Sequence, residues 1–260
     1  MGAENKESIK VKLSFRWGAI TDIGKVREEN QDAWFADPES GIFIVSDGMG
    51  GHQAGTLASK IVTEVLPKMI KDGIGKLKSQ GRAAIKSVLN RAIVELSRRM
   101  RTESSDQTEM RGMGATLVMA LLRADRAYIA NMGDSRAYLF RKGKLRQLSE
   151  EHSVVALLLR SGDITPSEAK LHPARSQLSR YIGMADKADP CIRTLLLKDN
   201  DRLLLCSDGL TGVVNDNEIA CLLEKNTNPQ DACSMLVETA NLHGGPDNIT
   251  VIIVNLFGYP

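Results

Sequence analysis

Two apolar runs in this chain stop on the same three residues. "GIFIV" runs into "SDGMGG" at Asp47, and "RLLLC" runs into "SDGL" at Asp208. Short apolar runs bounded by turn residues suit buried strands, so two strands end on a carboxylate followed by glycine. Ser, Asp and Gly are ordinary turn formers. Glycines also let a backbone carbonyl and a carboxylate approach something small and charged, such as a metal ion or a phosphate.

Further acids occupy comparable places. Asp134 sits at the Gly-Asp-Ser turn of "NMGDSR", Asp247 lies immediately before the last strand in "GGPDNITVIIV", and Asp32 stands in "REENQDAW". Carboxylates at the ends of different strands can meet at one rim of a sheet, where fixed backbones hold them against mutual repulsion. Uncompensated, such a cluster is costly; divalent cations make it favourable. An all-oxygen donor set without His or Cys suits a hard ion, Mg²⁺ or Mn²⁺.

The spacing of Leu57, Ala58, Ile61, Val62, Val65, Leu66 and Met69 predicts an amphipathic helix that Pro67 kinks or ends. Ile85, Val88, Leu89, Ala92, Ile93, Leu96 and Met100 predict a second. Each has one apolar stripe, as expected for helices covering a sheet face. "SFRWGAITDIG" predicts an opening strand, and "ATLVMALL", "RAYIANM", "SRAYLFR" and "KLRQLS" predict an antiparallel meander with a hairpin at "RKGK". "DRLLLCSDG" and "NITVIIVNLF" add strands, and between them "NEIACLLEKN" and "PQDACSMLVETANLHG" predict helices, the second opened by Pro229 and followed by Gly244. The Asp-x-Asp of "LLLKDNDRLLL" is superficially like the nucleophile loop of haloacid-dehalogenase-type phosphatases, but strand signals on both sides read it as a hairpin turn. Grouped strands with helices before and after them indicate an antiparallel α+β layered fold rather than alternating βαβ.

The 260 residues suit one large domain, and 42% hydrophobic with 25% charged residues is a globular composition. A net charge of +2 gives no reason to expect nucleic acid or an anionic membrane as partner. No apolar stretch reaches the roughly 20 residues of a membrane helix. The N-terminus lacks the apolar core of a signal peptide, and Lys6 stands where a myristoylation motif wants Ser or Thr, so an exposed lead-in to a cytoplasmic protein is expected. Cys191, Cys206, Cys221 and Cys233 form no C-x-x-C pair, lie in apolar patterns and are expected to be buried thiols. None has Arg six positions later, which removes the cysteine-phosphatase loop. G-x-S-x-G, the P-loop and H-E-x-x-H are also absent.

In this order and spacing, "VREENQD", "VSDGMGG", "MGATLV", "NMGDSR", "LCSDGL" and "PDNITVIIV" closely resemble the metal-dependent protein serine/threonine phosphatases of the PPM, or PP2C, family, from about Trp17 to Val254. The resemblance implies a four-layer αββα sandwich of two antiparallel sheets flanked by helices, in a single domain over residues 1–260. It implies that Asp47 bridges two Mn²⁺ or Mg²⁺ ions, that the Gly48 carbonyl ligates one, and that Asp208 and Asp247 ligate the other. Asp32 would hold water from behind, and Asp134 with Asp208 would form a weaker third site. Arg27 matches the arginine that clamps the substrate phosphate, a task suited to its fork of donors. The glycines at 48, 50 and 51 would let backbone and ions come close. The implied reaction is in-line attack on phosphorus by a water or hydroxide shared between metals roughly 3.5–4 Å apart, without a phosphoenzyme. Phosphoproteins made by a cytoplasmic serine/threonine kinase are the implied substrates, and a monomer without nucleic-acid or membrane partners is the implied state.

Met49 stands where eukaryotic members commonly carry a histidine proposed to protonate the leaving alkoxide, which points to a bacterial-type enzyme using water instead. Gln31 replaces an acid often found beside Asp32. His52 either neighbours the substrate phosphate or is a plain surface residue, and His152, His172 and His243 are assigned no chemistry. The segment at about 150–182 resembles the flap of bacterial members and is expected to affect substrate choice more than chemistry. A second reading is a pseudophosphatase, a module that binds phosphoproteins without turnover; retention of Asp47, Asp208 and Asp247 weighs against it.

Overall fold

Residues 42–45 are all apolar because both faces of their strand are covered. The structure, a computed structural model, describes residues 14–105, 110 and 112–258, excluding the side chains of His52 and Lys170; the expected N-terminal lead-in lies outside the described residues. One sheet has the spatial order β1 (Ser14–Asp22), β11 (Ile249–Phe257), β10 (Arg202–Cys206), β7 (Arg136–Arg141), β8 (Lys144–Gln147). The other has β2 (Asp32–Asp37), β3 (Ile42–Met49), β5 (Leu117–Arg123), β6 (Arg126–Met132), β9 (Cys191–Leu196), with the short β4 (Gly114–Ala115) beside β3. Every pairing is antiparallel.

Three apolar layers separate four layers of structure. Phe43 and Val45 of β3 meet Leu203, Leu205, Ile252 and Val254 between the sheets. Ile42 and Ile44 point the other way, onto α1 (His52–Gly75) and α2 (Arg82–Ser105). Leu204 and Cys206 of β10, with Val251 and Ile253, pack against α6 (Asp216–Lys225) and α7 (Pro229–Leu242), which follow the single turn α5 (Asp208–Thr211). This is the expected αββα order. Each fully buried large side chain contributes about 1.5–3 kcal/mol, so strands buried on both faces anchor the sandwich.

Five sequence expectations change. Pro67 does not end α1, which continues through it to Gly75. A mid-helix proline costs about 3 kcal/mol, and burial of Ile70 and Ile74 beyond it offsets that cost. The buried stripe runs Ala54, Ala58, Val62, Leu66, Ile70, which leaves Leu57 on the flank, 39% exposed. The meander divides: β5 and β6 pair in one sheet, β7 and β8 in the other, and the chain crosses between sheets at residues 133–135. The expected β9–β10 hairpin is likewise a crossing, where buried Asp201 accepts a two-pronged pair from Arg141 at 2.6 and 2.5 Å. Alternation says which residues face a core but not which sheet a strand joins; β6 finds β9 and β7 finds β10 through distant pairings. Cys206 and Cys233 are buried, whereas Cys191 is half-buried and Cys221 exposed, because only Ile219 and Leu223 of α6 face the core. The "RKGK" hairpin holds, with Arg141 opposite Lys144.

Residues 150–182 form α3 (Val154–Ser161), capped by Ser153, and α4 (Pro166–Leu171), opened by a Thr165–Glu168 capping box. The bridge Ser153–Leu178 closes the segment on itself, and Ala115–Ile182 ties it to β4. Among the described residues no helix is long and apolar enough to cross a membrane.

The position of the α1 stripe gives a direct check. Ile70→Ala should destabilise the protein by about 2–5 kcal/mol in urea unfolding, while Leu57→Ala should cost less than about 1 kcal/mol. Equal losses would mean that the helix is rotated from the orientation described.

Candidate metal centre

Antiparallel pairing brings the five acids to one end of the sandwich. Asp32, the first residue of β2, stands opposite Asp47 near the end of β3. The end of β10 lies beside the start of β11, with Cys206 opposite Val251, so Asp208 and Asp247 flank the same edge. Asp134 occupies the crossing from β6 to β7, and Arg136 beyond it pairs with Cys206. The acids thus converge through strand register: Asp32, Asp47 and Asp208 on elements, Asp134 and Asp247 in the short loops that enter β7 and β11.

Neutral side chains that the sequence reading assigned no role hold them there. Thr116 brackets Asp47: its N–H donates to the Asp47 carbonyl at 2.8 Å and its Oγ1 accepts from the Asp47 N–H at 2.9 Å. Buried Ser46 donates to the Thr116 carbonyl at 2.6 Å, and Ser135 shares a 2.7 Å contact with Thr116 Oγ1. In the second Ser-Asp-Gly, Ser207 Oγ donates to Asp32 Oδ2 at 2.7 Å and accepts from the Thr250 N–H at 3.0 Å, joining the two sheets. Asn248 donates to the carbonyls of Ile23 and Glu29 at 2.9 and 3.0 Å and accepts from the Gln31 N–H at 2.8 Å, fixing the loop that carries Arg27. The recurring serine and the Asp-Asn pair at 247–248 were the signals for these positions.

A cleft of about 430 Å³ is lined by Arg27, Asp47, Gly48, Asp134, Asp208 and Asp247, among others, with Met49 on its wall. Asp32 stands half-buried behind it. Burial, with Asp32 and Asp208 close by, pushes the Asp47 carboxyl well above its ordinary range. Burial and then Asp134 and Asp247 push Asp208 up to about 8, and burial pushes Asp32 up to about 7 against the opposing Ser207 hydrogen bond. Asp134 is raised as well, chiefly by burial. Arg27, 55% exposed at the rim, donates to Asp247 Oδ2 at 2.7 Å, and that bond raises its pKa.

This donor set fits divalent cations. Oδ1 of Asp208 and Oδ1 of Asp32 are buried without a hydrogen-bond partner, a costly state that a cation relieves directly or through water. Among the described residues no three acidic, His or Cys side chains stand preassembled as a ligand shell, consistent with Asp247 being turned onto Arg27. Two of the glycines have a packing or backbone reason as well. A Cβ on Gly48 would lie 1.9 Å from the Gly55 carbonyl, so its absence lets α1 pack onto β3. Gly50 has φ of 118°, a conformation side-chain-bearing residues rarely adopt. His52 opens α1, but its side chain lies outside the described residues. Buried His152, with its pKa lowered to about 4 by burial, exchanges backbone bonds that anchor residues 150–182: its N–H donates to the Gly133 carbonyl at 3.0 Å and its carbonyl accepts from Ser179 at 2.8 Å.

Comparison with known proteins agrees with this geometry. The family described as protein phosphatase 2C matches residues 25–242. The chain belongs to that family, whose members are metal-dependent serine/threonine protein phosphatases. The serine/threonine phosphatase stp of Listeria monocytogenes is 37% identical over 237 residues, covering 90% of this chain and 93% of the relative. The Mycobacterium tuberculosis serine/threonine phosphatase PstP/Ppp superposes with a TM-score of 0.81 at 32% identity, over 95% of this chain and 100% of that structure. The catalytic domain of PstP in complex with two manganese ions gives 0.78 at 29% identity, over 95% and 100%.

Carboxyls with raised pKa hold their protons more tightly in the folded than in the unfolded chain, where Asp titrates near 4. Their contribution to stability is therefore present at low pH and lost as pH rises through the folded values. In chelator, Tm should fall between about pH 5 and pH 8. Asp208→Asn should flatten that fall and raise Tm at pH 8 by about 2–4 °C per kcal/mol recovered. A wild-type Tm that is flat or rising over this range would contradict the buried cluster.

Proposed function

We propose that this chain removes phosphate from phosphoserine and phosphothreonine in cytoplasmic proteins, reversing a serine/threonine kinase, with two Mn²⁺ or Mg²⁺ ions held by Asp47, the Gly48 carbonyl, Asp208 and Asp247. The observation that carries this reading is a cleft holding half-buried carboxylates, with the buried, orphaned Oδ1 of Asp208, beneath an exposed arginine. Family membership and the PstP complex with two manganese ions support it. When bound, the cations would supply Lewis-acid activation of the attacking water and offset charge on the phosphoryl group.

The residues of the chain divide the remaining work. Arg27 sits at the mouth on a single exposed carboxylate contact, so its fork can turn to two oxygens of an incoming phosphate. Asp32, anchored by Ser207, orients water from behind the cleft. Asp134 with Asp208 would form a weaker third cation site; both have carboxyls raised by burial. Met49 carries no proton to give, so the leaving alkoxide takes its proton from solvent. Residues 150–182 act as a flap that bears on substrate choice, since Ser176 and Leu178 line the cleft. The protein works as a monomer, and its near-neutral charge favours protein substrates over nucleic acid.

Phosphate release from a phosphothreonine peptide tests the reading. Activity should require Mn²⁺ or Mg²⁺, vanish in chelator, and fall about 10³-fold or more in Asp208→Asn, several kcal/mol of barrier. Arg27→Ala should lower kcat/KM about 10- to 100-fold, mostly through KM, the range of a charge-assisted hydrogen bond. Chelator-resistant turnover, or none from a folded protein that binds Mn²⁺, would overturn it.

A further inference from the structure

At the end of the sandwich opposite the acids, a cationic side chain occupies a core position. Along β10, Leu204 and Cys206 face the layer beneath α6 and α7, and by the same alternation so does Arg202. Arg202 is 7% exposed. Its partners are neutral: Nε donates to Asn255 Oδ1 at 2.7 Å and Nη1 donates to the Leu223 carbonyl. Nη2 is buried with no partner. Burial lowers the Arg202 pKa, and no carboxylate opposes that effect. Adjacent Asp201 is engaged with Arg141, and Glu224 is exposed at the rim.

Buried cations without a counter-charge are rare because desolvation outweighs what neutral acceptors return. Here the cation borders a cavity of about 460 Å³, a size that holds a small organic ligand. The cavity walls combine Arg202 and Arg16 with Phe140, Leu256 and Phe257; Asn228 adds a polar group, and two acids also line it, Asp201, whose carboxylate is taken up by Arg141, and exposed Glu224. Arg16 lies over the Phe257 ring at 5.7 Å, which places a second cation against an apolar wall. Asn255, which accepts from Arg202, is itself held by donating to the Thr227 carbonyl at 2.7 Å, so the guanidinium plane is fixed before any ligand arrives.

We propose that this cavity binds a small planar organic anion, a carboxylate or a phosphoryl compound, whose acidic group pairs with Arg202 and whose body lies against Phe140 and Phe257. The site is separate from the acid-lined cleft and its assignment does not depend on the phosphatase reaction. Benzoate and phenylphosphonate, with inorganic phosphate as a third arm, separate the carboxylate from the phosphoryl source and test the need for an apolar body.

The experiment is methyl NMR of the Mg²⁺-loaded protein titrated with each probe. Benzoate or phenylphosphonate should shift the Leu223 and Leu256 methyls saturably while leaving Met49 of the acid cleft in place, and should raise Tm by about 3–6 °C at about ten times Kd. Arg202→Met should weaken binding by about tenfold to a hundredfold while the protein stays folded. Unmoved Leu223 and Leu256 methyls with both aromatic probes, or equal affinity in a folded Arg202→Met variant, would overturn the proposal. Should that variant fail to fold, the wild-type titration decides alone.

Discussion

Crowding of carboxylates at one rim is the constraint on which the rest of this structure depends. Asp32, Asp47, Asp134 and Asp208 are half-buried within reach of one another, and desolvation raises the pKa of each. A flexible loop would relieve that cost by moving apart. Strand register does not permit it, because Asp47 lies within β3 opposite Asp32, and Asp208 opens the turn α5 two residues after β10 ends. The αββα layering keeps those strand ends in place by burying both faces of β3, β10 and β11. The same apolar runs that make the core therefore hold the cluster together until cations neutralise it.

Between the acids and the core lies a layer of neutral hydrogen bonds. Thr116, Ser46 and Ser135 fix Asp47 from one sheet, and Ser207 with Thr250 fixes Asp32 from the other. Asn248 connects this layer to the loop of Arg27, so the cation-binding end and the phosphate-facing arginine share one support. Fully satisfied buried networks of this kind hold a site rigid.

Much of this was legible in the chain. Asp47 and Asp208 announce themselves because each ends an apolar run in Ser-Asp-Gly, and the stripes of α1 and α2 fall where 3.6-residue spacing puts them. The crossings at Asp134 and Asp201 were not legible, since each looks locally like a turn joining neighbouring strands and only distant pairing assigns the sheets. Pro67 misled for a related reason: a local rule yielded to the burial of Ile70 and Ile74. Gly48 stands out in the sequence, but its packing against α1 does not, because the Gly55 backbone it admits is identified only by the fold. Asn248 and Ser207 stand in the quoted motifs beside the acids, but their partners are 43 to 225 residues away and no local pattern names them.

The measurement that bears most directly on the central claim is a crystal structure of the protein grown with Mn²⁺, with anomalous scattering recorded at the manganese edge. Two peaks among Asp47, the Gly48 carbonyl, Asp208 and Asp247, with Arg27 released from Asp247, are the predicted result. Absence of peaks at the rim, with the Arg27–Asp247 pair intact and the carboxylates unchanged, would contradict the account that this cluster exists to hold divalent cations.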